Sequence, residues 1–151
     1  MKRIFRFFKF VWQRKTKGFD DSETWNLDNT IANFVLPRLK RYKELNGGCP
    51  ILEGFEESSD KNDDKMHEEW NKIIDRIIFS LERISKDDEF NWVKYPENYD
   101  HGWTSKDLEN GSSQIIWNDN RKPDYTDYEE LQKQIQEGLD LFAKYFRGLW
   151  W

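Results

Sequence analysis

The sequence predicts an all-α fold: a single domain of about four main helices around an aromatic-rich core, with a long irregular insertion at about residues 87–123. Three observations lead there. Apolar residues recur at the 3.6-residue helical spacing in four separate stretches. The chain holds 11 Phe, 8 Trp and 6 Tyr in 151 residues, and each ring buries roughly 150–250 Å². Rings on that scale offset a charged fraction of 35%, which alone would lean toward disorder. Cys49 is the only cysteine, so no intrachain disulfide forms and the core must come from packing.

The first stretch, residues 1–17, reads as a basic amphipathic helix. Ile4, Phe5, Phe7, Phe8, Val11 and Trp12 fall on one side and Lys2, Arg3, Arg6, Lys9, Gln13 and Arg14 on the other, with Phe10 alone breaking the pattern. Phe7, Phe8, Val11 and Trp12 are the candidate partner-binding residues; the alternative is a helix packed on its own domain with its basic face against acidic residues. Gly18 ends this helix, and Asp20-Asp21-Ser22 offers capping side chains for the next. Leu27, Ile31, Phe34, Val35, Leu39, Tyr42 and Leu45 then share a face over about 23–46, stopped by Gly47-Gly48, and Pro37 predicts a kink or two shorter helices.

Residues 53–65 are acidic and aperiodic and read as a flexible loop. Met66, Trp70, Ile73, Ile74, Ile77, Leu81 and Ile84 mark the cleanest amphipathic helix, capped by Asp63 or Asp64. The insertion follows, rich in Phe90, Trp92, Tyr95, Tyr99, Trp103 and Trp117; Ile115-Ile116-Trp117 within it is a short strand or a helical turn. The last helix is announced by Thr126 and Glu129 at capping-box spacing. Its apolar face runs through Leu131, Ile135, Leu139 and Phe142, with Gly138 on the edge where another backbone can approach closely.

Charge is uneven. The net value is −5, but residues 1–17 carry seven Lys or Arg and no acid, leaving 17 basic against 29 acidic residues, a net −12, in residues 18–151. Such a body repels phosphate backbones, so specific nucleic-acid binding is not expected. A membrane surface is the lesser expectation for residues 1–17, and no stretch approaches the ~20 apolar residues that span a bilayer. The expected location is cytoplasmic. Homo-oligomerisation stays open.

Few constellations carry chemistry. Asp28 falls near the middle of the apolar face of its helix, with Arg38 further along it; buried charges need partners. They read either as structural polar contacts or as the lining of a ligand pocket. In that pocket Trp25, Trp92, Tyr95, Trp103 and Trp117 stack on a planar ligand such as a nucleobase. No metal site or cofactor is expected: His67 and His101 are the only histidines, and a single cysteine rules out a thiolate zinc site. Glu68, Glu69 and Asp75, or Glu137 and Asp140, are spaced like the magnesium carboxylates of all-α nucleotide pyrophosphohydrolases, but they lie on polar faces.

The stretches WNLDNTIANFVLPRLKRYKE (25–44) and EGLDLFAKYFRGLW (137–150) resemble uncharacterised small proteins of tailed bacteriophages. The likeness covers about a third of the chain, chiefly two helices. It implies a viral origin and expression in a bacterial cytoplasm, and it carries no catalytic or binding residues. The expected function is therefore a non-catalytic phage-encoded binding protein that inhibits a host defence protein or sequesters a nucleotide signal. The alternatives are the metal-dependent pyrophosphohydrolase-like enzyme and a small virion or scaffold protein.

Overall fold

The structure, a computed structural model, describes residues 2–45, 48–55, 60–119 and 121–150. It is mostly helical: α1 (Lys2–Lys17), α2 (Leu27–Glu44), α3 (Asp60–Lys86) and α4 (Thr126–Tyr145), with one antiparallel pair, β1 (Trp103–Asp107) and β2 (Ser113–Trp117). The fold is thus predominantly but not purely α. Of the two readings of Ile115-Ile116-Trp117, the strand is the observed one. The chain divides into two compact units, Met1–Asp88 with Lys133–Trp151, and Glu89–Gln132.

In the first unit, α2 packs along α3. Asn29 Nδ2 donates to the carbonyls of Ile84 and Ser85 at 3.0 and 3.1 Å, so the start of α2 lies at the end of α3. The buried cluster is Ala32 and Leu39 from α2, Leu52 from the connection, and Trp70, Ile74, Ile77 and Leu81 from α3. Leu141, Phe142 and Tyr145 of α4 pack around it. Trp70 is the only ring in that cluster; it meets the Tyr145 ring edge-on at 5.3 Å and donates to Tyr42 Oη at 3.4 Å. The expected aromatic-rich core is therefore corrected. Among the described residues the buried apolar side chains are all aliphatic apart from Trp70, while most of the rings remain exposed.

Gly138 fulfils its expected role. It is buried against α3, where a Cβ would stand 2.5 Å from the Arg76 carbonyl oxygen and 2.0 Å from Ser80 Oγ. Cys49 is half-buried against the cluster, its Sγ 3.3 Å from the Pro50 carbonyl and 3.8 Å from that of Met66.

Other elements depart from the sequence reading. α2 begins at Leu27 and runs unbroken through Pro37 to Glu44, so two separate helices do not form. α3 begins at Asp60, a turn and a half before Met66, so the second half of the expected loop is helix. Gly47 and residues 56–59 of the expected loop lie outside the described residues.

In the second unit a single-turn 3-10 helix (Glu89–Trp92) leads to the buried Val93 and to a bridge between Lys94 and Asp124, with paired backbone bonds of 3.0 and 2.8 Å. Phe90 stacks on Tyr128 at 5.8 Å. The β1–β2 hairpin is exposed on both faces, with Trp103 opposite Trp117, and turns at Asn110-Gly111, where Gly111 takes φ 80°.

Candidate functional site

Two surfaces bring candidate residues together, one in each unit. In the first, α1 ends at Gly18 (φ 84°), and the chain turns into a 3-10 helix, Asp21–Thr24, capped by Asp20 in a capping box with Glu23. This acidic turn grips the polar side of α1. Lys9 Nζ lies 2.6 Å from Asp21, Arg14 Nε lies 2.8 Å from Asp20 and 3.0 Å from Glu23, and Gln13 Oε1 accepts the Asp21 amide at 3.2 Å. The Ser22 hydroxyl donates to the buried Asp20 carboxylate and, with Arg14, holds its pKa below the usual value. Contacts to Gln13 and Lys9 do the same for Asp21.

The consequence is an inverted helix. Gln13 is buried and Phe10, the residue that broke the apolar pattern, is half-buried. Ile4, Phe5, Phe7, Phe8 and Trp12 all stay at least 62% exposed, and Val11 is exposed as well.

The α2 candidates are differently placed. Asp28 and Arg38 were expected on a buried apolar face; both are exposed. The inward side of α2 is instead Ala32, Val35, Leu36, Leu39 and Tyr42, leaving Leu27, Ile31, Phe34 and Leu45 outside. Asp28 sits in the first helical turn, where a carboxylate complements the macrodipole without any partner. Arg38 folds over the Phe34 ring at 3.7 Å and donates to the Phe34 carbonyl at 2.6 Å.

Asp28 and Arg38 stand ten positions apart, ~15 Å along the helix axis. Trp25, 89% exposed, lines a groove with Phe5, Phe10 and Lys9, whereas Arg38 lines another with Pro37 and Tyr42. Trp25, Asp28 and Arg38 are not brought into one cavity.

The second surface is a cleft of about 630 Å³ within residues 89–132. It unites two of the ring candidates, Tyr95 and Trp117, with Tyr99, His101, Lys122 and Tyr125. Tyr95, Tyr99 and His101 pack mutually, with ring centroids 4.5–5.2 Å apart. Trp103 sits across the strand pair from Trp117, and Trp92 in the 3-10 turn; neither lines the cleft.

The floor is pinned by Asp119 and Arg121. Arg121 Nε and Nη2 donate to the Asp119 carboxylate at 2.5–3.1 Å, while Nη1 and Nη2 reach the carbonyls of Glu97 and Asn98 at 3.1 and 3.2 Å. These bonds, with the Arg121 and Asp100 amides, hold the Asp119 carboxyl far below the usual carboxylate range. The guanidinium is spent on structure. Lys122 has no such partner among the described residues and leaves its charge available to a ligand. Burial and the nearby Asp119 push the Tyr99 hydroxyl's pKa up.

Sequence reasoning missed Tyr99, His101, Asp119, Arg121, Lys122 and Tyr125. The available signal was the polar run NDNRKPD at 118–124, rich in turn formers between an aromatic strand and a helix start.

The carboxylates of the enzyme alternative are not gathered. Glu137 and Asp140 line a groove together with Arg76 and Lys144, and Asp75 and Glu69 pair with Lys43 and Lys72. Among the described residues no group of three or more His, Cys, Asp or Glu side chains is placed to hold a metal ion. Compared with known proteins, the chain matches no family model, no curated protein and no solved structure.

Proposed function

We propose that this chain is a non-catalytic, phage-encoded binding protein that sequesters a small planar anion of the nucleotide class in the cleft of residues 89–132. One observation carries the reading: aromatic walls from Tyr95, Tyr99 and Trp117 share a cleft of about 630 Å³ with the uncommitted Lys122. That volume lies in the usual range for small-molecule sites. A base stacks on the exposed Trp117 ring and a phosphate meets Lys122, while the Asp119–Arg121 pair keeps the floor rigid. The partly exposed rings suit a stacking site, because each stacked base contributes about 1–3 kcal/mol and tolerates sequence or base identity. The phage origin rests on the resemblance of two helices, and the host cytoplasm follows from it.

The test is a thermal-shift screen with nucleoside mono- and triphosphates and cyclic dinucleotides. A ligand at ~100 times its dissociation constant adds roughly 2.7 kcal/mol of stability, and the ligand is recovered intact. Trp117→Ala and Lys122→Ala are each expected to weaken binding at least several-fold without lowering the melting temperature of the free protein. No shift with any of these ligands removes the reading.

A further inference from the structure

The outward face of α1 is a second site, independent of the cleft. We propose that α1 docks the protein on the surface of an anionic lipid bilayer, with its apolar strip in the headgroup layer and its polar side toward the acidic turn of residues 20–23.

The strip is continuous. Ile4, Phe5, Phe7, Phe8, Val11 and Trp12 run ~12 Å along one side of the helix and are all exposed. Trp25 widens it through the groove it shares with Phe5 and Phe10, and tryptophan favours the level of the headgroups. Isolated apolar side chains at a surface are ordinary, whereas a contiguous aromatic strip marks an interaction site.

Charge selects the occupant. The helix carries seven Lys or Arg and no acid, in a chain whose remainder is −12. Lys15 continues the line of the strip one turn beyond Val11, and neither Lys15 nor Arg6 has an ion-pair partner among the described residues. Lys9 and Arg14, though paired, keep side chains 57% and 61% exposed, within reach of lipid phosphates. An anionic surface therefore attracts this segment and repels the rest, which fixes one orientation. A second copy of the chain fits less well, since pairing two such strips sets basic helix against basic helix.

Geometry agrees. Binding in the plane of an interface requires the polar side of a helix to point to water, and the acidic turn already occupies that side. No described helix is long and apolar enough to cross a membrane, so the contact is with the surface.

The experiment is vesicle flotation of the full chain, with phosphatidylcholine alone or with about 30% phosphatidylglycerol, a content that gives a surface potential able to act on basic residues. The bound fraction is expected to rise about tenfold or more with the anionic lipid and to fall as added salt shortens the screening length. Phe8→Glu combined with Trp12→Glu abolishes flotation while circular dichroism and melting temperature stay unchanged. Lys15→Glu, a single exposed change, weakens it separately, and Trp117→Ala in the cleft leaves it intact.

Failure to float on any vesicle, or flotation indifferent to both the paired and the Lys15 substitutions, overturns the proposal. So does a solution dimer dissolved by Phe8→Glu and Trp12→Glu, which assigns the strip to a second copy, or a host protein held by the strip in the absence of vesicle binding.

Discussion

At the scale of single residues, Gly138 governs how near α4 comes to α3. The Arg76 carbonyl and the Ser80 hydroxyl occupy the space a side chain needs, and Ser80, fully buried, donates to its own helix at Arg76 and lies 3.4 Å from the Gln134 carbonyl. Gly138→Ala is expected to cost about 1–3 kcal/mol, as overpacking does, measured by urea denaturation. Ile77→Ala, at a position with 0% exposure, is expected to cost about 2–5 kcal/mol. The Asp20 and Asp21 carboxyls add a pH dependence. Both have pKa values lowered from 3.8 by their bonds in the folded state, so their contribution is complete above that value and is lost as pH falls through the folded values below it. The protection factors of the α1 amides, which remove the intrinsic pH dependence of exchange, should fall in that acid window, and Asp20→Asn should flatten the dependence; an α1 whose protection factors stay equal down to pH 2 contradicts it.

At the scale of elements, periodicity located all four helices: α2, α3 and α4 carry apolar faces to bury, and α1 carries an equally periodic one that it turns outward. It failed on which face α2 buries. Apolar residues at 27, 31, 34, 35, 36, 39, 42 and 45 occupy more than half the circumference, and the small Ala32 decides the choice by letting α3 approach. The start of α4 was legible in kind but not in detail. The side-chain acceptor is Asp124, whose Oδ1 takes the Thr126 amide at 2.9 Å and its hydroxyl at 2.6 Å. Asp124→Ala should therefore lower the melting temperature, and Asp124→Asn, which keeps the oxygen, should restore most of it. The hairpin escaped periodicity because strands exposed on both faces need no alternation; its mark was Asn110-Gly111, a strong turn dipeptide. Two of the cleft's rings, Tyr95 and Trp117, were recognised as such, but their neighbours arrive through turn geometry that leaves no spacing to read.

At the scale of the whole molecule, most of the rings lie outside the buried cluster. The aliphatic cluster around Ile74, Ile77 and Leu81 holds the first unit, and rings dominate where solvent remains. Local stability should follow that division. Amides of α3 from Trp70 to Leu81 are expected to exchange slowest and those of residues 103–117 fastest, since a two-stranded hairpin without a covered face is marginal in water; equal protection of the two by mass spectrometry contradicts it.

Cys49 gives the molecule a built-in clock. It is the chain's sole thiol, and burial pushes its pKa upward, which slows its reaction with alkylating reagents. Its labelling rate therefore responds to how closely the contacts around Pro50 and Met66 hold, without an engineered probe. Core-weakening changes such as Ile77→Ala should quicken that labelling, while changes confined to the outer strip of α1 should leave its pace as it was.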